Sequence, residues 1–206
     1  MILETVCVGM MQVNCYVLAR QAHSPAVIID PGAEPRKIKK ILEKHSLTPV
    51  IVINTHGHYD HIGADDAFGV PVYIHREDAP LLKEPLRNLS AIFGVPEVVK
   101  SPVKTVEDNE TITAAEMQLK VMHIPGHTPG GIALQLLPAA AFIVFTGDSL
   151  FFRGIGRSDL TDGNEFQLKK YIAQRLLTLP DPTVIYPGHG PSSSIGEEKI
   201  HNPYLS

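Results

Sequence analysis

The heptapeptide Thr55-His56-Gly57-His58-Tyr59-Asp60-His61 closely follows a short apolar run at residues 50–53. The run is rich in β-branched residues and begins after a proline, which is typical of a buried strand. Three imidazoles and one carboxylate therefore come together where a strand ends, and both groups are common metal ligands. The cluster indicates a metal site rather than a solvated turn.

Three further polar residues each follow a predicted strand and lie beside a glycine. They are His127, Asp148 and His189. Ligands commonly bind at strand ends, where glycine lets the backbone approach closely. With the first cluster they give seven candidate metal ligands: His56, His58, Asp60, His61, His127, Asp148 and His189.

Seven donors are too many for one metal ion. A tetrahedral zinc takes four ligands, one of which is water in a catalytic site. Seven donors suit two ions that share a carboxylate, and such a pair can hold a hydroxide between the metals at neutral pH. Nitrogen and oxygen donors favour zinc and also accept iron or manganese. We therefore expect two divalent metal ions as cofactors, with zinc as the favoured metal.

Length, composition and net charge indicate which classes of partner to expect. The chain has 206 residues, 44% of them hydrophobic, and a net charge of -4, which predict one globular domain over residues 1–206. The acidic balance disfavours a nucleic-acid partner, and no apolar run reaches the roughly 20 residues that cross a bilayer, so no membrane partner is expected. The start of the chain does not resemble a secretion signal. These features predict a cytoplasmic protein with a small-molecule substrate and make no prediction of oligomeric state.

Strand and helix patterns recur in both halves of the chain, which predicts an α/β protein with sheets covered by helices. The predicted strands are 2–8, 14–19, 26–29, 50–53, 71–74, 116–124, 131–137, 141–145 and 183–186, and the predicted helices are 34–45, 62–68 and 165–177. Residues 76–105 contain four prolines, so short helices and loops of unassigned role are expected there. Cys7 and Cys15 are predicted to be buried free thiols.

These motifs resemble those of the metallo-β-lactamase superfamily, and within it the short bacterial type of glyoxalase II, the hydroxyacylglutathione hydrolases. The resemblance covers essentially the whole chain. It rests on I-I-D-P-G at 28–32, T-H-G-H-Y-D-H at 55–61, G-H-T-P-G at 126–130, G-D at 147–148 and P-G-H-G at 187–190. Two longer stretches are more specific to the glyoxalase II-like branch. They are S-L-F-F-R-G-I-G-R-S-D-L at 149–160 and G-E-E-K-I-H-N-P-Y-L at 196–205.

The resemblance implies a four-layer αββα sandwich and a role for each candidate ligand. The implied ligands of the first metal are His56, His58 and His127. The implied ligands of the second metal are Asp60, His61 and His189, with Asp148 bridging both metals. Asp30 and Thr55 are expected to orient the ligands, as histidines bound to metal generally require.

Thioester hydrolysis by attack of a metal-bridging hydroxide is the predicted reaction, with S-lactoylglutathione as the type substrate. The resemblance gives Asp148 a bridging role that the β-lactamases proper lack. A thiol has a pKa near 8.5, so a thiolate can leave with little proton donation, whereas a lactam nitrogen needs a placed acid. Asp60 and Asp148 are the predicted catalytic residues, with Asp60 orienting or deprotonating the attacking water.

The chain is expected to differ from the longer glyoxalase II enzymes in how it binds the thiol carrier, glutathione. Longer glyoxalase II enzymes carry a C-terminal helical domain that helps to hold glutathione, and we expect no such domain here. Arg153, Arg157 and Tyr186 are the candidate substrate-binding residues. Structural pairing of the arginines with acids such as Asp159 is the competing interpretation.

Three other functions are compatible with the sequence. An iron-dependent persulfide dioxygenase would use His56, His127 and Asp148 as an open site of two histidines and one carboxylate. Another metallo-β-lactamase-fold hydrolase, acting on lactones or lactams, is the second alternative. The third is a binding role without catalysis, which the complete ligand set disfavours.

Overall fold

The computed structural model describes residues 1–138, 142–160 and 162–205. Over these ranges the chain forms two six-stranded sheets and a short two-stranded hairpin. Each sheet buries one face against the other sheet and the opposite face against helices. The architecture is thus the predicted αββα sandwich.

The first sheet takes its strands from the first half of the chain, in chain order. They are β1 (Ile2–Val8), β2 (Val13–Ala19), β3 (Pro25–Ile29), β4 (Thr48–Ile53), β5 (Val72–His75) and β6 (Val103–Val106). β1 to β3 form an antiparallel meander, whereas β3 to β6 are parallel. Because parallel strands end at one edge, the residues after β3, β4 and β5 meet there.

The second sheet has the order β14-β13-β10-β9-β8-β7. Its strands are β7 (Thr111–Ala114), β8 (Met117–His123), β9 (Ile132–Leu137), β10 (Ile143–Gly147), β13 (Val184–Pro187) and β14 (Ser193–Ser194), and the hairpin is β11 (Leu150–Phe151) with β12 (Gly154–Ile155). β10 and β13 are the parallel pair of this sheet. Their carboxyl ends therefore lie side by side, which brings Asp148 and His189 to one edge.

The helices are short. They are α1 (Pro35–Lys44), α2 (Tyr59–Ile62), α3 (Glu165–Tyr171) and α4 (Ile195–His201), with 3-10 turns at Asp65–Phe68, Ala79–Lys83 and Ser90–Phe93 and a π-helical turn at Ile172–Leu176. In the part of the chain that the structure describes, no helix has the length and apolarity needed to cross a bilayer.

Three buried clusters separate the four layers. The cluster between α1 and the first sheet includes Ile28, Ile38, Leu42 and Val52. The central cluster between the two sheets includes Leu18, Ile53, Leu119 and Phe145. The third cluster lies under α3 and α4 and includes Val144, Leu168, Ile172 and Ile195. Burial of apolar area in these clusters is the main term that stabilises the sandwich.

Several local predictions need correction. The helix predicted at 165–177 is α-helical only to Tyr171 and continues as a π-helical turn, and the helix predicted at 62–68 is a 3-10 turn that follows α2. β6 and β7 were not predicted. Cys7 is exposed, not buried, because it points away from the core in β1. Residue 141, the start of one predicted strand, lies outside the described residues, and one domain over 1–206 stays a prediction.

The central cluster allows a direct test of the packing. Leu119 is 1% exposed between the sheets, whereas Leu86 is 75% exposed. We expect Leu119→Ala to lower the free energy of unfolding by about 2–5 kcal/mol, because it removes buried methyl groups and leaves a cavity. Leu86→Ala, the matched control, should change it by less than about 0.5 kcal/mol. Urea denaturation with an unchanged m-value measures both, and equal losses would contradict the assigned core.

Candidate metal centre

The seven predicted ligands meet at one edge of the sandwich, where the two sheets face each other. His56 and His58 lie in the loop after β4, and α2 carries Asp60 and His61. The second sheet supplies the others from the carboxyl side of three strands: His127 after β8, Asp148 after β10 and His189 after β13. Both sheets therefore contribute, and the packing between them positions the site.

The ligand atoms converge in three overlapping groups, within each of which all atoms lie within 4.8 Å of one another. The groups are His56, His58 and His127; His56, His61 and Asp148; and Asp60, His61 and His189. In the first group, His58 Nδ1 and His56 Nε2 lie 2.9 and 3.3 Å from His127 Nε2. The first and third groups are the two ligand triads that the resemblance implies.

Asp148 lies between the two triads. Its Oδ1 is 3.4 Å from His61 Nε2, and its Oδ2 is 3.6 Å from His127 Nε2 and 3.5 Å from His189 Nε2. One carboxylate thus faces histidines of both triads. This position is the one required of a ligand that two metals share.

Burial and neighbouring charges set the pKa values of these groups. Burial lowers the pKa of His58 to about 3 and also lowers that of His56, so both imidazoles are neutral at pH 7 with a free lone pair. Burial opposes the charge on His61 as well, but Asp148, Asp30 and Asp60 raise its pKa overall. Burial likewise opposes the Asp148 charge, yet His61 holds its pKa below the usual range. Asp148 is therefore ionised.

The donor set fits divalent cations. His61 Nε2 and Asp148 Oδ1 are buried and lie 3.4 Å apart, and neither makes a hydrogen bond of good geometry with a described residue. An unpaired buried polar group costs about 1–3 kcal/mol, and metal coordination removes that cost. Neutral imidazoles and carboxylates are also the ligands that zinc, iron and manganese accept.

Backbone carbonyls orient two of the histidines. His127 Nδ1 donates a hydrogen bond to the Arg157 carbonyl oxygen at 2.7 Å, and His189 Nδ1 donates one to the Met11 carbonyl oxygen at 2.9 Å. A carbonyl oxygen can only accept, so Nδ1 carries the proton in both rings. With the proton on Nδ1, the Nε2 atom of each ring is the one left to face the site and bind a metal.

Asp30 and Thr55, which the resemblance implies as residues that orient the ligands, lie beside two of the histidines. Asp30 accepts hydrogen bonds from the Thr55 backbone N–H and Oγ1, both at 2.7 Å, and its Oδ2 lies 3.0 Å from His61 Nδ1. Thr55 Oγ1 is 3.2 Å from His56 Nδ1. The pair thus links the end of β3 to two imidazoles, although its effect on metal binding stays a prediction.

A glycine gives Asp148 and His61 the space they occupy. A Cβ atom at Gly188 would lie 2.2 Å from Asp148 Oδ1 and 2.7 Å from His61 Cε1. Both distances are well inside van der Waals contact, so any side chain at position 188 would displace these two residues. Glycine in the P-G-H-G motif is therefore a steric requirement of the site.

Sequence reasoning missed Asp78, which is fully buried three residues after β5. Its Oδ2 accepts hydrogen bonds from Gly57 N at 2.9 Å and Thr128 Oγ1 at 2.7 Å, and its Oδ1 accepts one from Gly130 N at 2.6 Å. These donors belong to the two loops that carry His56, His58 and His127. Asp78 therefore connects the two loops that carry the first triad. No local sequence motif identifies Asp78 as part of the site.

The ligands open into a cavity of about 530 Å³. Five predicted ligands line it, together with Tyr59, Arg157 and apolar side chains from residues 89–93 and 151–160. The unassigned stretch 76–105 thus supplies one wall of the cavity. Neither its irregular pattern nor its prolines indicated this role.

The three candidate substrate-binding residues are not brought together. Arg157 lines the cavity and pairs with Asp159 through hydrogen bonds of 2.8 and 2.9 Å. Arg153 pairs with Glu197, and Tyr186 packs against Phe145 in the core between the sheets. Neither Arg153 nor Tyr186 is among the described residues that line the cavity.

Replacement of Asp78 tests its positioning role. Asp78→Asn turns one carboxylate oxygen into an N–H₂ group that faces backbone N–H donors. We expect a loss of about 1–3 kcal/mol in the free energy of unfolding. Zinc affinity should also fall about 10–100-fold, as with other residues that orient ligands.

Denaturation and competitive zinc titration measure the two effects. Glu77→Gln, the same chemical change at an exposed neighbour, is the control and should alter neither. Unchanged zinc affinity in a destabilised Asp78→Asn protein would limit Asp78 to a structural role.

Comparison with known proteins agrees with this geometry. The sequence profile of the Metallo-beta-lactamase superfamily matches residues 8–189. The probable metallo-hydrolase YqgX of Bacillus subtilis is 35% identical, over 97% of this chain and 95% of that protein. The hydroxyacylglutathione hydrolase GloC of Haemophilus influenzae is 34% identical, over 99% and 98% respectively.

Solved structures show the same fold. The B3 metallo-beta-lactamase BLEG-1 superposes with a TM-score of 0.92 at 36% identity, covering 100% of both chains. A protein crystallised in a di-iron-bound form superposes with a TM-score of 0.84 at 34% identity, covering 98% of this chain and 100% of that one. With the profile match and these relatives, the chain belongs to the metallo-beta-lactamase superfamily of metal-dependent hydrolases.

Proposed function

We propose that the chain binds two divalent metal ions and hydrolyses thioesters of the S-lactoylglutathione type. The position of Asp148 between two histidine-rich triads carries the proposal, because a shared carboxylate is what a dinuclear hydrolase needs. The similarity to GloC, which is named for hydroxyacylglutathione hydrolysis, supports the substrate class.

Each triad would hold one metal. His56, His58 and His127 are the proposed ligands of the first ion, and Asp60, His61 and His189 those of the second, with Asp148 contacting both. Divalent metals in such a site lower the pKa of water towards 7 and polarise a carbonyl group. Zinc is the first choice, and iron or manganese suits the same donors.

Asp60 is the proposed residue for handling the attacking water. Its carboxylate lines the cavity, and its Oδ2 lies 3.3 Å from His189 Nε2. From this position Asp60 can accept a hydrogen bond from the water and orient it, or take its proton at Oδ2. The new C–O bond and the broken C–S bond then yield a carboxylic acid and a thiol.

The cavity lining favours a leaving group that needs no proton donor. Apart from the proposed ligands, Tyr59 and Arg157 are the described lining residues with a dissociable proton. Partial burial and Asp60 raise the pKa of Tyr59, which makes it a weaker acid still. A thiolate leaves without such help, whereas a lactam nitrogen requires it.

Lactam hydrolysis is the second candidate because BLEG-1, a B3 metallo-beta-lactamase by name, shares the whole fold. Another relative was crystallised in a di-iron-bound form, which supports iron as an alternative metal. An iron site would also suit the alternative function, persulfide dioxygenation. That reaction consumes oxygen and neither hydrolysis does, so oxygen uptake with a persulfide distinguishes it.

Metal content tests the proposed ligands. We expect two zinc ions per chain after dialysis, falling towards one in His58→Ala and in His189→Ala, because each change removes a ligand from a different triad. His201→Ala, an exposed histidine on α4, is the control and should keep both ions. Elemental analysis measures the content, and full loading of both ligand variants would contradict the assignment.

Turnover tests the reaction. Zinc-loaded protein should hydrolyse S-lactoylglutathione, lose activity on chelation and regain it with zinc or manganese. We expect Asp60→Asn to lower kcat by about 100-fold or more, because it removes the group that orients or deprotonates the water. A chromogenic cephalosporin assayed in parallel measures lactam cleavage. Cleavage of the cephalosporin alone, by metal-replete protein, would favour the second candidate over the first.

A further inference from the structure

We propose that the cavity selects thioesters with an apolar acyl group, which it holds on a wall formed by Leu89, Ile92 and Phe93. This inference rests on the proposed thioester hydrolysis and names the substrate class. The acyl group begins at the carbon that is attacked, so it must lie beside the metal ligands. The wall is an apolar surface of the cavity that adjoins the loop carrying His58 and Asp60.

The wall is joined directly to the ligand loop. The Phe93 ring packs on Tyr59, with ring centroids 4.8 Å apart and planes inclined by 30°. Tyr59 lies between the proposed ligands His58 and Asp60, and its backbone N–H donates to the Asn88 carbonyl oxygen at 2.9 Å. The wall is therefore fixed to the loop that carries two of the proposed ligands, on the side of the cavity where a bound acyl group can contact it.

The wall is apolar yet open to solvent. Ile92 and Phe93 are 69% and 54% exposed, although both line the cavity. The opposite side of the cavity is also apolar, with Phe151, Ile155 and Leu160. Contiguous exposed apolar surface of this kind marks a binding site, because covering it with an apolar ligand is favourable.

A buried network fixes the wall in place. Asn88 Oδ1 accepts hydrogen bonds from Ser90 Oγ at 2.6 Å and Ser90 N at 3.0 Å, while Asn88 Nδ2 donates to the Leu81 and Glu97 carbonyl oxygens. Leu89, between Asn88 and Ser90, has a φ of 71°, a left-handed conformation that is strained for a residue other than glycine. The network holds Leu89 in this conformation despite the strain, and Leu89 lines the cavity.

Charge favours an uncharged group on this wall. Of the described lining residues outside the proposed ligands, Arg157 is the only cation, and it is already paired with Asp159. A carboxylate at the far end of the acyl group would thus find no free cationic side chain on the wall, whereas an aliphatic or aromatic acyl group would bury apolar surface.

The test compares acyl chain lengths on one neutral thiol. We expect kcat/KM of zinc-loaded protein for N-acetylcysteamine thioesters to rise about two- to fourfold per added methylene, so that hexanoyl exceeds acetyl at least about tenfold. Ile92→Ser and Leu89→Gly should each reduce that ratio by about threefold or more. Leu89→Gly suits the left-handed backbone, so it removes the side chain without disturbing the turn. Leu86→Ser, an exposed leucine outside the cavity, should keep the wild-type ratio.

The outcomes separate this inference from the proposed function. Thioester turnover that does not depend on acyl length, or a length dependence retained in both wall variants, would overturn the inference and leave the hydrolase intact. A length dependence confined to the thiol, with none on the acyl group, would likewise overturn it.

If no thioester is cleaved, the proposed function fails. The affinity of the protein for short and long carboxylates then tests whether the wall binds apolar groups. Calorimetry on zinc-loaded protein then compares acetate with hexanoate. Hexanoate binding at least about tenfold tighter, with the advantage lost in Ile92→Ser, supports the apolar wall. Equal affinities overturn it.

Discussion

The carboxylate of Asp148, placed between two groups of imidazoles, is the feature that requires the two sheets to be held in register with each other. It lies 3.4–3.6 Å from one nitrogen each of His61, His127 and His189. His61 comes from the first sheet and the other two from the second. The arrangement persists only if the two sheets keep a fixed relative position, so packing in the central apolar cluster sets the geometry of the metal centre.

Hydrogen bonds at the edge of the sandwich strengthen this connection between the sheets. Ile132 N donates to the Thr55 carbonyl oxygen at 2.8 Å, and Asn14 N donates to the Gly188 carbonyl oxygen at 2.7 Å. Asp78 adds a third link, between the loops that follow β4 and β8. Backbone and side-chain hydrogen bonds thus connect the candidate ligand loops across the interface between the sheets. These contacts pre-organise the candidate metal-ligand atoms.

The clustering of the candidate ligands and the succession of strands and helices could be predicted from the sequence because both leave local signals, whereas the four-layer arrangement followed from the family resemblance. Histidines and aspartates beside glycine follow apolar runs, and strand ends share an edge in an α/β sandwich. Asp78 leaves no such signal, since its donors are Gly57, Gly130 and Thr128, which only the folded chain brings together. The cavity wall was equally hidden, because a leucine gives no signal for the left-handed conformation that Leu89 adopts beside the buried Asn88.

Anomalous diffraction from zinc-loaded crystals measures the shared role of Asp148 most directly. We predict two zinc peaks per chain, about 3.5–4 Å apart, with one Asp148 oxygen or both within coordination distance of each ion. The first peak should be surrounded by His56, His58 and His127. A single peak, or two ions of which only one contacts Asp148, would contradict the dinuclear centre.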